Sequence, residues 1–148
     1  MEIIDPRAAF ESGNAALGEG RAEDAVVHYR KAMGAAPDVV EVHHNLTAAL
    51  AQLGRNDEAI GAARLGLEQR QDYAPLHVAL ANLLSLTGEV KEARAHYEEA
   101  LRLDHDLAVA WSGMAGIFMA EGSYEIASEK YRKAMSINKN DIVSMNNL

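Results

Sequence analysis

An all-α solenoid is the fold class this chain predicts, and three ladders with a constant step of 34 residues predict it. Gly20, Gly54, Gly88 and Gly122 form the first, Ala25, Ala59, Ala93 and Ala127 the second, and Asp38, Asp72, Asp106 and Asn140 the third. A fixed period of this size means one supersecondary unit copied and stacked, each copy touching its neighbours, instead of one closed core. The units fall at 6–39, 40–73, 74–107 and 108–141 within a single domain, and 142–148 reads as the start of a fifth unit or a truncated capping helix.

Each unit reads as two helices. Asp5 followed by Pro6 opens the first, an acceptor side chain at the N-cap with proline at the favoured first helical position. In the second unit Val42, Leu46, Ala49, Leu50 and Leu53 step by three and four residues and write one apolar stripe. Gly54 stops that helix, because glycine alone enters the left-handed C-terminal conformation without a Cβ penalty, and the other ladder glycines are expected to do the same. The second helices carry acids near their starts (Glu23, Asp57, Glu92, Glu125) and bases towards their ends (Arg30, Arg64, Arg102, Arg132), which complements the helix dipole. Asp38, Asp72, Asp106 and Asn140 are expected to cap the helix that follows. The ladder alanines mark where two helices cross, since only a small side chain lets the axes approach closely.

Composition narrows the function. Aromatics are 5% of the chain, so Ala, Leu and Val do the packing. Fourteen Lys and Arg against 22 Asp and Glu give a net charge of −8, with the bases spread through every unit, which argues against nucleic acid. The lack of cysteine rules out disulfides and thiolate metal sites, and the start MEIIDPRAAF resembles neither a signal peptide nor a membrane anchor. No stretch is apolar for long enough to span a bilayer, so a cytoplasmic protein without membrane contact is expected. No phosphate loop, serine elbow or dinucleotide fingerprint is present, and Gly18 and Gly20 follow no strand. No two histidines stand four residues apart, so the six read as structural and no metal or cofactor is expected. His28 and His96 in particular are placed on a solvated face. The chain is read as a binding module and not as an enzyme.

Period and residue types together resemble the tetratricopeptide repeat family over 6–141. Trp111, Met114, Ala115, Phe118, Gly122, Ala127, Tyr131 and Ala134 carry the pattern in unit four; Leu80, Ala81, Leu84, Gly88, Ala93, Tyr97 and Ala100 in unit three; Gly13, Ala25, Tyr29, Ala32 and Pro37 in unit one. Unit two departs from it, with Ala63 and Gly66 where the others hold tyrosine and alanine, and Gly61 nearby. Its second helix is therefore expected to be the least stable, the glycines reading as drift. The resemblance implies a right-handed superhelix whose first helices line a concave groove for an extended peptide or partner helix.

The lining that this implies is Arg7, Phe10 and Asn14, then Glu41, His44 and Asn45, then Val78, Asn82 and Ser85, and finally Ser112 and Met119. Family members that grip the acidic C-termini of heat-shock chaperones use two asparagines with lysine and arginine. Asn14 and Asn45 match the asparagines, but Phe10, Pro75 and Ala79 stand where the cations belong. A neutral, apolar or basic protein segment is therefore expected in place of an acidic tail. The alternative is a substrate-recruiting region of a larger enzyme such as a protein O-linked sugar transferase, whose asparagine ladder Asn45 and Asn147 resemble and Ala79 and Gly113 interrupt. Ile142, Val143, Met145 and Leu148 leave an uncapped apolar end, which a longer chain or a second copy in a homo-oligomer would cover.

Overall fold

The ladder glycines close their helices as the sequence requires. Gly20, Gly54, Gly88 and Gly122 have φ of 76°, 73°, 93° and 79°. The next residue's N–H reaches back five positions in every copy (Arg21 to Ala16 O, Arg55 to Leu50 O, Glu89 to Leu84 O, Ser123 to Phe118 O), the bond that ends a helix on a left-handed residue.

The computed structural model describes residues 3–146, and the side chains of 3–140. Among the described residues every regular element is a helix: α1 (Pro6–Gly18), α2 (Ala22–Ala35), α3 (Val40–Gln52), α4 (Asn56–Gln69), α5 (Ala74–Thr87), α6 (Val90–Leu103), α7 (Ala108–Ala120) and α8 (Tyr124–Asn146). Consecutive helices pack as hairpins, and each even-numbered helix packs on the odd-numbered helix that follows. The odd helices also touch one another (α1 with α3, α3 with α5, α5 with α7), whereas the backbones of α2, α4 and α6 stay apart. A layer that closes on one side and splays on the other curves, with α1, α3, α5 and α7 inside. Across the splayed side only long side chains meet, Arg30 with Glu58 and Arg64 with Glu92. Ala25, Ala59, Ala93 and Ala127 are fully buried at the hairpin crossings.

Asp5 accepts from the Arg7 N–H at 3.0 Å, so the first helix is capped as expected. The other aspartates are not caps. Val39, Tyr73 and Leu107 occupy the cap positions of α3, α5 and α7 without a side-chain bond, so Asp38, Asp72 and Asp106 each stand one residue too early. A ring performs the closure in their place. His43 Nε2 lies 2.8 Å from the Pro37 carbonyl, His77 Nε2 lies 2.8 Å from the Gln71 carbonyl, and the Trp111 indole donates to the His105 carbonyl at 2.8 Å. These three residues share one repeat position, and each latches the link six residues before it. Because a carbonyl only accepts, His43 and His77 must carry their proton on Nε2.

The helix start expected at Asn140 is absent: α8 continues through it to Asn146. The residue in latch register is Met145, a residue type whose side chain carries no hydrogen-bond donor. Ile142, Val143, Met145 and Leu148 have side chains outside the described residues. Tyr131, whose counterparts Tyr29 and Tyr97 are buried, is 37% exposed, and Met135 is 69% exposed.

Gly66 is not drift. A Cβ there would come within 2.5 Å of Leu76 Cδ2 and 2.6 Å of His43 Cβ, so glycine lets α4 approach both α3 and α5. Nor is His96 solvated: its Nδ1 lies 2.9 Å from His77 Nδ1. A neutral His77 with its proton on Nε2 accepts there at Nδ1, and His96 then donates. At the same pair of positions Lys130 lies over the Trp111 ring at 5.2 Å, while Ala62 leaves His43 Nδ1 buried without a partner.

Candidate inner-face binding site

The inner face is built from the exposed stripes of the odd helices. Arg7, Asn14, Asn82, Ser112 and Met119 are exposed on it, and Phe10, Glu41, His44, Asn45 and Ser85 are half-buried. Val78 is a correction: it is buried within the apolar core and offers no surface to a ligand. Asn147 lies outside the described residues.

The asparagines are engaged within the fold. Asn14 Oδ1 accepts from the Tyr29 hydroxyl and from Asn45 Nδ2, each at 2.8 Å, and Asn82 Oδ1 accepts from the Tyr97 hydroxyl. Burial raises both tyrosine pKa values, so these hydroxyls remain donors through neutral pH. Each ring needs glycine beneath it, Tyr29 lying over Gly13 and Tyr97 over Gly113. Gly113 thus breaks an asparagine ladder because a ring fills that space.

The arginines of this region are spoken for. Arg7 pairs with Glu11 at 3.0 Å, and Arg70 reaches Glu41 at 3.5 Å while its guanidinium lies 4.6 Å above the Tyr73 ring. His44 meets the edge of the same ring at 5.7 Å. Burial lowers the His44 pKa, with Glu41 pulling the other way, so the ring is neutral at physiological pH.

Two clefts remain open. One, of about 240 Å³, lies between α1 and α3 and is walled by Pro6, Arg7, Phe10, Ala36, Val39 and Val42. The other, of about 310 Å³, lies between α3 and α5 and is lined by Thr47, Ala48, Ala51, Asn56, Ala79, Asn82, Leu83 and Leu86. Most of these residues escaped the sequence reading. The available signal was Ala63, the one unit without tyrosine at that position, together with small Ala48 and Ala79 facing each other across the junction.

The tetratricopeptide repeat model matches residues 16–83, and a second model of the same description matches 74–107. The chain belongs to the tetratricopeptide repeat family. Among curated tetratricopeptide relatives and similar proteins, the Hsp70-Hsp90 organizing protein of Triticum aestivum is 35% identical over 96 residues, 65% of this chain and 16% of that protein. Protein FlbA of Caulobacter vibrioides is 32% identical over 108 residues, 73% of this chain and 18% of its own length. The chain thus spans less than a fifth of either relative. Among solved structures, MamA superposes with a TM-score of 0.85 at 17% identity, covering 93% of this chain and 81% of that one. The first tetratricopeptide domain of Spaghetti (RPAP3), bound to the HSP90 peptide SRMEEVD, gives 0.77 at 21% identity over 79% of this chain and 93% of that one. At these identities the structures establish a shared tetratricopeptide solenoid fold. No described helix is long and apolar enough to cross a membrane.

Proposed function

We propose that the chain is a protein-interaction scaffold whose inner face captures an extended segment or helix of a partner, neutral, apolar or basic in character. The observation that carries this reading is the pair of unfilled apolar clefts on a face whose arginines already have acidic partners. A carboxylate-rich tail needs cations to replace its hydration. Phe10, Pro75 and Ala79 supply none, and Asn14 and Asn45 are bonded to each other. The similarity to a domain bound to an acidic HSP90 peptide supports the groove as the mode of binding, while these substitutions argue for a different cargo. Capture from lysate by the wild-type chain, compared with an Ala48→Arg/Ser112→Arg variant of unchanged melting temperature, tests the surface, since both positions are exposed. Equal capture of the same proteins sinks the reading. Fluorescence anisotropy with SRMEEVD is expected to give no saturable micromolar binding, and saturation there would overturn the cargo assignment.

A second reading, a recruiting arm within a longer protein, is favoured by the length of the two curated relatives.

A further inference from the structure

The three ring latches differ in how many protons their opening takes up. At the third link the Trp111 indole, with Lys130 over its face, has no group that titrates near neutral pH. At the first link His43 works alone, its Nδ1 buried and unbonded. At the second, His77 is buried and its ring spans two contacts, Nε2 on the Gln71 carbonyl at 2.8 Å and Nδ1 on His96 Nδ1 at 2.9 Å. The link between units two and three thus hangs on two imidazoles that share one proton between their facing nitrogens. That link also carries Tyr73, which lies under Arg70 and against the edge of His44, so an opening there reaches the inner face.

With both rings neutral, His77 protonated on Nε2 and His96 on Nδ1, every bond is made. A first added proton has a place at His96 Nε2, which stands 3.7 Å from Glu92 and disturbs neither contact of His77. A second has none. It would enter at His77 Nδ1 and set N–H against N–H, leaving a charged ring buried with a bare donor. Such a ring leaves for water, and its Nε2 leaves the Gln71 carbonyl with it. Once open, both imidazoles charge near the ordinary histidine value of about 6.5. Opening the second link therefore takes up two protons until His96 charges in place and one thereafter, against one at most for the first link and none for the third.

We propose that the His77–His96 pair makes the link between units two and three an acid-operated joint, which opens before the links on either side of it. The surroundings leave room for the movement and do not remove its cause. The pair borders a cleft of about 480 Å³ into which Arg64 and Glu68 face from α4 and Glu99 from α6. Arg64 is bound to Glu92 at 3.0 Å, Glu99 holds Arg102 at 2.6 Å, and in the link Arg70 lies 3.5 Å from Asp72. No described carboxylate bonds to the two facing nitrogens, so none can receive the second proton's hydrogen bond in the closed state. Burial, and then the neighbouring His77, hold His96 below the ordinary histidine range, which keeps the closed pair neutral as acid is first added.

The test is native-state hydrogen exchange of the whole chain, read by NMR from pH 7.5 down to 4.5 and corrected for the intrinsic rate at each pH. Equivalent amides report each link: Ala36 and Val42 the first, Arg70 and Leu76 the second, Asp104 and Ala110 the third. Below about pH 6.5 the opening constant at Arg70 and Leu76 is expected to rise by up to about a hundredfold per pH unit, at Ala36 and Val42 by about tenfold at most, and at Asp104 and Ala110 not at all. Imidazole ¹⁵N spectra at pH 7.5 are expected to show His77 protonated on Nε2 and His96 on Nδ1. In His96→Gln the amide can turn its oxygen to a charged His77, and the rise at Arg70 and Leu76 should fall to about tenfold or less. His77→Trp with His96→Lys, which copies Trp111 and Lys130, should abolish it and serves if His96→Gln lowers the melting temperature at pH 7.5. Equal slopes at the three links overturn the proposal, as does a neutral His96 protonated on Nε2 or an undiminished slope in the folded variant.

Discussion

The first two repeat junctions use the same register positions to opposite ends. At the first, Arg7, Phe10, Ala36 and Val39 surround an apolar hollow. At the second, 34 residues on, Glu41, His44, Arg70 and Tyr73 fill it: the tyrosine lies under the guanidinium and against the imidazole edge, and the arginine reaches the glutamate. At this register one backbone plan thus yields a filled hollow or an open one through four side chains, none of which belongs to the pattern that defines the repeat. Packing positions set the fold, and the positions between them decide where the surface is left open.

Substitutions can test this contrast. The largest effect is expected from Gly66→Ala, because the added Cβ meets the root of His43 as well as the tip of Leu76, and only the latter can swing aside. Overpacking of this kind costs about 1–3 kcal/mol. An unchanged melting temperature would show that α3 and α5 are not held close enough to α4 to exclude a methyl group. Next, Tyr73→Ala empties the sealed junction and should cost about 1–2 kcal/mol in chemical denaturation, below the range for fully buried aromatics because the ring is only half-buried. The reverse exchange, Ala36→Arg with Val39→Tyr, copies the sealed arrangement into the vacant one. A gain of about 0.5–1 kcal/mol is expected, typical of filling a cavity at the surface. A loss of stability would mean that Phe10 cannot play the part of His44.

The smallest effect is a pH dependence. Burial first, and then the neighbouring His77, lower the His96 pKa, and burial lowers that of His44. Groups facing His96 include His77, Glu92, Arg64 and Glu99. With the folded pKa below the unfolded one, the folded state binds fewer protons. Stability is therefore complete above the unfolded value of about 6.5 and falls as pH drops through the folded value. His96→Gln should flatten this fall in a series of melting temperatures; an equal slope in the variant would assign it to other groups.

What the sequence revealed follows the same division. Gly20, Gly54, Gly88, Gly122 and the ladder alanines were legible because backbone conformation and helix contact tolerate one residue type each, so the chain repeats them. The closing of the links was not legible, since histidine and tryptophan do that work interchangeably and the conspicuous aspartates beside them do not. The groove was legible as a set of helix faces, but Val78 turned inward, and the clefts depend on which residues are missing. A vacancy has no motif; it emerges only when neighbouring copies are laid against one another in space.

The ring latch carries a rule for rearranging the molecule. Because each link is fastened from the far side, the joint is indifferent to which copy supplies the fastener, provided it arrives six positions later. Excision of residues 74–107 would bring Trp111 to the place of His77 relative to Gln71, and the shortened spiral would still close. Excision of half that length, 74–90, would bring Arg94 to that place from within α6, a second helix, and the alternation of inner and outer helices would be lost. Whole copies can be gained or lost along such a chain, and fractions of one cannot.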